Sequence, residues 1–261
     1  MRHSAGFTLI ELIVTIILLA TLSIGTTTFI RFGIDIYQDN SGRSNQISES
    51  RFITERLTRE LREAVPNSVR VDTSGQCVEF LPILASSTYV DVPVLPEQAS
   101  ADITVVAPSV IPTQANQKLI VYPTKVSDVY VDGQDVTGKT FSIESLSAPA
   151  NDLITITLTN AVRFRKDSPI DRYFIAGTPI SYCQSTDNKI YRYENYAITT
   201  AQQVPNAATG VLMAQNQVNP QPFAALGATQ KRNSVVKVNF EFTYNDESLD
   251  LYNEVHIVNV P

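Results

Sequence analysis

The chain opens on an unbroken apolar stretch and then changes its period. From Phe7 to Ile30 the residues are apolar or small, and Glu11 is the only charged side chain among them. About 20 apolar residues, rising 1.5 Å each in a helix, cross a hydrocarbon core of about 30 Å. The stretch therefore predicts a membrane-spanning helix. Further on, Ile53, Leu57, Leu61 and Ala64-Val65 recur at helical spacing, with Ile47 and Phe52 flanking the stripe. On the opposite face Glu55–Arg59, Arg56–Glu60 and Arg59–Glu63 lie four apart, a spacing that lends a helix modest support. Pro66 is the expected stop, because proline drives the residue before it out of the helical region. Gly25 and Gly33, with Thr26-Thr27-Thr28 between them, are the weak helix formers of this segment.

After Pro66 apolar residues alternate with polar ones. Val69–Val71, Cys77–Leu84, Leu119–Tyr122 and Leu153–Leu158 read as short strands. Tyr173–Cys183 and Lys189–Tyr193 flank a hairpin loop at Gln184–Asn188. The clearest hairpin is terminal: Val236, Val238, Phe240 and Phe242 share one face, Asn245–Ser248 make the turn, and Leu249, Leu251, Val255 and Ile257 answer them. Glu97–Gln117 and Thr199–Asn233 show no period and read as long loops. The expected fold class is α+β, a long N-terminal helix packed on an antiparallel sheet domain with long loops.

Glu11 is the residue this plan does not explain. A carboxylate deep in a bilayer costs about 2.5–3.5 kcal/mol on insertion scales, so it calls for a cationic partner. A cleaved secretory signal fits poorly, since its apolar core is shorter and ends in a small-residue site; here the run ends in Phe29-Ile30-Arg31. An ordinary signal anchor accommodates the length and leaves Glu11 without a purpose.

The string Gly6-Phe7-Thr8-Leu9-Ile10-Glu11 resembles the processing site of type IV prepilins and type II secretion pseudopilins. That resemblance implies that a prepilin peptidase cuts between Gly6 and Phe7 and methylates the new amino terminus of Phe7. It also gives Glu11 a partner, the Phe7 ammonium of a neighbouring subunit, in a buried pair that sets register more than stability. Residues 1–6 are then the leader, 7–30 the spanning and assembly part of the helix, and 31–65 its amphipathic continuation. Residues 66–261 form the exported β-rich domain. Charge leaves orientation open, with Arg2 on one side and Arg31 and Arg43 on the other; the outward placement comes from the resemblance.

Further stretches narrow it. Arg51–Arg62 followed by Ala64 is similar to the larger minor pilins and to J-type minor pseudopilins of type II secretion. Arg31–Tyr37, Glu60–Arg70 and Leu251–Val255 look more like the O-type minor pilin of the mannose-sensitive haemagglutinin (MSHA) pilus system. The resemblance implies a non-enzymatic subunit that initiates or caps a pilus. Its partners would be the peptidase, other major and minor pilins met through the N-terminal helix, and inner-membrane lipid. It would be a single-pass inner-membrane protein with an exported domain, then part of the pilus at the cell surface.

Composition removes some classes. The net charge of −6 argues against a nucleic-acid binder. Cys77 and Cys183 are the only cysteines and both lie in the part expected to be exported; an oxidising compartment favours a disulfide, the alternative being two separate buried thiols. No nucleophile elbow or phosphate loop occurs, and no cofactor is implied. His256, beside Glu254, falls on the polar face of the last strand and reads as a solvent-facing residue rather than a general base. Asp132-Gly133-Gln134-Asp135 lacks the distal ligands of an EF-hand and reads as a turn, as do Asp187-Asn188 and Asn245-Asp246-Glu247. Tyr191, Tyr193 and Tyr196 fit cross-strand packing better than a sugar-stacking surface. A tip adhesin and a membrane-anchored periplasmic enzyme remain as the alternatives from other classes.

Overall fold

A computed structural model describes residues 6–131, 136–202, 209–227, 234–245 and 247–257. Residues 1–5 of the expected leader 1–6 and the Asp132–Asp135 stretch read as a turn lie outside them. The chain divides into two units, residues 1–48 and 49–261, and helix α1, Leu9–Arg62, contributes to both. In the first unit the apolar side chains of α1 face outward, as a lipid-facing segment requires. The hydroxyls of Thr15, Thr21, Ser23, Thr26, Thr27 and Thr28 donate to carbonyls one turn earlier, so the polar atoms of the span are used internally.

In the second unit the end of α1 buries Ile53, Leu57 and Leu61 completely, the stripe expected from their spacing. The helix stops at Arg62, short of Pro66. The Val65 N–H donates to the Leu81 carbonyl at 2.8 Å, and the Ile83 N–H donates to the Glu63 carbonyl at 3.0 Å. Extended bonding to the next segment thus takes over before the proline would forbid a helix.

Chain order then runs β1 (Arg70–Val71), β2 (Cys77–Phe80), β3 (Ile83–Asp91), β4 (Ser100–Val106) and β5 (Lys118–Val121). A short helix α2 (Val126–Val129) precedes β6 (Thr137–Gly138), β7 (Thr140–Leu146), β8 (Leu153–Phe164) and β9 (Arg172–Ala176). The remaining strands are β10 (Ile180–Gln184), β11 (Ile190–Tyr193), β12 (Val211–Ala214), β13 (Phe223–Leu226), β14 (Ser234–Tyr244) and β15 (Glu247–Ile257).

They form three sheets. The first has the order β1-β2-β10-β11-β12, and the terminal hairpin β14-β15 with β13 makes the second. Both give their apolar face to α1: Val78, Phe80, Ile180 and Ile190 from one, and Val236, Phe240, Val255 and Ile257 from the other, share a core with Ile53, Leu57 and Leu61. The third sheet closes on itself. Its order is β4-β3-β9-β5-β7-β8, β8 pairs back with β4, and β6 adds to β8 in parallel. The result is a six-stranded barrel inserted between β2 and β10, with its own interior of Ile103, Val105, Leu119, Ile156, Tyr173 and Ile175 among others. On β5 and β9 the alternate residues Ile120, Phe174 and Ala176 point out of the barrel and meet Val65, Leu81 and Tyr130.

Three expectations change in detail. The expected strand Cys77–Leu84 is broken at Leu81-Pro82, and Tyr173–Cys183 is broken at Gly177-Thr178-Pro179, because each proline lacks the N–H a ladder needs. The Glu97–Gln117 stretch contains β4, and Thr199–Asn233 contains β12 and β13. In each, pairing partners from distant sequence supply the order that local pattern lacks. β15 begins at Glu247, inside the expected turn Asn245–Ser248.

Candidate functional site

The sequence-predicted residues fall in both units. Gly6, Phe7 and Glu11 belong to the first, and Phe7 is 70% exposed. Helix α1 starts at Leu9, which makes Thr8 its N-cap and Glu11 the third helical residue. The Glu11 N–H donates to the Thr8 hydroxyl oxygen at 3.3 Å, and that hydroxyl reaches the Glu11 carboxylate at 3.5 Å. This is a variant of the capping box, and the T-x-x-E spacing that signals it was present in the sequence. Glu11 also sits where the partial positive charge of the helix start favours a carboxylate. Within one chain, then, Glu11 is held by its own helix end, and its carboxylate still faces outward at the exposed head of the span.

Cys77 and Cys183 belong to the second unit and form a disulfide, with their Cα atoms 4.2 Å apart. They are register partners on β2 and β10, the two strands that lead to and from the barrel. The neck of the barrel lies at the other end of the pair, beyond Phe80 and Ile180. The bridge closes a loop of 106 residues in sequence and spans a single strand-to-strand step in space. Tyr193 is buried against it, with Tyr191 and Tyr196 beside it. The tyrosines are thus packing around the disulfide. Their side of the sheet also carries Glu79, which accepts from Arg70 at 2.8 Å, while Arg70 holds the Thr199 and Thr200 carbonyls and stacks on the Tyr130 ring. Burial raises the Glu79 carboxyl above the ordinary range, against the lowering effect of Arg70.

On the helix side a second polar node went unrecognised in the sequence. Glu60 accepts from Arg56 at 3.0 Å, from Tyr182 at 3.0 Å and from Arg192 at 3.1 Å. Arg192 in turn donates to Glu194 at 2.7 Å. Glu60 reads in sequence as one half of a surface pair with Arg56; only the long-range arrival of β10 and β11 makes it a half-buried anchor. Burial, with the Glu60 charge adding to it, pushes the Tyr182 hydroxyl well above its ordinary pKa.

The remaining candidates are surface features. His256 is exposed on β15. Asp187 pairs with Lys189 across the β10–β11 turn, and the Ser185 hydroxyl donates to it. Among the described residues no group of three or more His, Cys, Asp or Glu could hold a metal ion.

An exposed apolar helix long enough to cross a membrane, leading into antiparallel sheets, fits a pilin-like α+β fold. Residues 1–27 match the family described as the prokaryotic N-terminal methylation motif. The match supports a type IV pilin-like protein, implies processing by a prepilin peptidase and assembly with other pilins, and suggests a structural subunit rather than an enzyme. No curated protein and no solved structure matches the chain.

Proposed function

We propose that this chain is a minor pilin, a non-enzymatic subunit that initiates or caps a type IV pilus of the MSHA type. A prepilin peptidase cuts between Gly6 and Phe7, Phe7 is N-methylated, and residues 7–30 anchor the protein in the inner membrane until assembly. The domain from Pro66 onward is exported. The observation that carries the reading is the N-terminal methylation motif at the head of an exposed apolar helix. The inserted barrel supports a minor role, since a bulky insertion suits a subunit present in few copies better than one repeated along a filament. Mass spectrometry of the native protein tests the processing step. The expected chain starts at N-methylated Phe7, and an intact Met1 in filament material from a strain with active peptidase would overturn it. Deletion of the gene should reduce pilus number while leaving type II secretion intact; the reverse outcome would identify a minor pseudopilin instead.

A further inference from the structure

β15 pairs with β14 along its whole length, from Tyr244↔Glu247 to Ser234↔Ile257, without a bulge. The Asn239 and Thr243 N–H groups donate to the Pro222 and Asn216 carbonyls, and the Glu241 carbonyl accepts from the Val218 N–H. These three residues of β14 therefore bond on the side away from β15. In an antiparallel pair, residues directly opposite either both bond across the ladder or both turn away. Their opposites Tyr252, Ser248 and Asp250 thus turn their main-chain groups outward, and Glu254 follows by the two-residue period. Among the described residues no strand pairs with that side of β15. A long edge with no bulge and no proline is a template for one more strand.

The side chains select the strand. Asp250 and Glu241 are direct opposites in a pair without ladder bonds, the closer of the two kinds, so two carboxylates face each other. Like charges placed this way are unfavourable. Neither carboxylate has a basic partner among the described residues, and Lys237, on the same face, pairs with Glu254 instead. A second copy of this chain does not relieve the repulsion: antiparallel pairing centred on Tyr252 sets Asp250 of each copy against Glu254 of the other. A strand with Lys or Arg opposite Asp250 does relieve it. Tyr252, 60% exposed, lies next on the same face and offers its ring to the stem of a long basic side chain. We infer that β15 is a docking edge for an extended segment of another polypeptide, joined main chain to main chain and carrying basic side chains at alternate positions. The edge belongs to residues 247–257, so its use does not depend on the pilus reading.

Calorimetry and hydrogen exchange on the detergent-solubilised full chain test this with a synthetic peptide in which Lys alternates with Thr. The controls are the same peptide with Glu for Lys, and the Lys peptide N-methylated along its backbone. The Lys peptide should bind and slow exchange at the Asp250, Tyr252 and Glu254 amides, while neither control binds. Asp250→Asn should weaken the Lys peptide several-fold yet melt no lower than the parent, because it also ends the repulsion with Glu241. Asp250→Lys should weaken it roughly tenfold, an attraction being replaced by a repulsion. A merely structural role for Asp250 would move stability and leave affinity alone. No binding of the Lys peptide, equal binding of the Glu peptide, protection confined to other strands, or unchanged affinity in Asp250→Lys would overturn the docking edge. A dimer of the chain alone with these same amides protected would give the edge to a second copy and overturn the basic partner.

Discussion

The Tyr182 hydroxyl donates to the Glu60 carboxylate at 3.0 Å, joining a strand of the first sheet to the helix 122 residues earlier in sequence. Arg192, with only 8% of its side chain exposed, converges on the same carboxylate. Removing Glu60 would therefore leave two buried donors short of an acceptor. A charged hydrogen bond contributes roughly 1.5–3 kcal/mol, and a stranded buried donor costs about as much again. Glu60→Ala should lower stability by roughly 2–4 kcal/mol, read from urea unfolding followed by tyrosine fluorescence. Tyr182→Phe should lose only about 1 kcal/mol, and the double variant should fall short of the sum because the two share one interaction. Strict additivity would show that the contact contributes nothing to stability.

Alkaline pH should expose a second weakness. Burial holds Tyr130, Tyr182 and Tyr196 protonated well above the ordinary tyrosine range, and pushes Tyr173 up to about 12. In the unfolded chain these groups ionise near pH 10. The raised folded values contribute stability that is fully present below pH 10 and lost as pH climbs through the folded pKa, because the unfolded state then binds fewer protons. Phenolate absorbance from Tyr130, Tyr173, Tyr182 and Tyr196 should appear only as far-UV dichroism collapses. Ionisation of these four with the fold intact would refute this.

The Cys77–Cys183 bridge should matter to the first sheet more than to the barrel. Both connections to the barrel run through β2 and β10, and the bridge joins the ends of that strand pair away from the neck. The barrel has a separate interior and a closed sheet. In the chain-entropy model a loop of about 100 residues is worth up to about 4.7 kcal/mol. Cys77→Ser/Cys183→Ser should lose several kcal/mol by this account. Hydrogen exchange should show β1, β2 and β10 deprotected while β5, β8 and β9 hold. Uniform loss of protection would mean the barrel has no independent stability.

What the sequence made legible was whatever depends on neighbours in the chain. The stripe Ile53, Leu57, Leu61 follows from 3.6-residue periodicity alone, and all three are buried. The terminal hairpin declares itself by strict alternation over β14. The barrel stayed hidden because its closure is the pairing of β4 with β8, in which Thr104 faces Thr155 across fifty residues. In β4 only Ile103 and Val105 are fully buried, too short a pattern to separate a strand from a loop. At the N-terminal segment a fixed short motif singled out Gly6, Phe7 and Glu11, whereas the part played by Thr8 required seeing where the helix begins.

Thr8 and Glu11 together give the sharpest test of assembly. In the single chain the Glu11 carboxylate leans on the Thr8 hydroxyl at the start of the helix, so Glu11 has a local use as well as its proposed partner, the Phe7 ammonium of a neighbour. The two uses predict different variants. Thr8→Val removes the cap and leaves the carboxylate, so it should weaken the helix start by about 1 kcal/mol while assembly proceeds. Glu11→Ala removes the membrane penalty of a carboxylate, so it should insert and be cleaved at least as well as the parent. It should nevertheless fail to join other pilins, because the buried ion pair that fixes axial register is gone. Crosslinking to partner pilins and counts of surface pili measure both. If Glu11→Ala assembles normally while Thr8→Val is impaired, the carboxylate serves its own helix and not the neighbour. That outcome would fit a subunit at the outermost position, where no further chain arrives to meet its carboxylate.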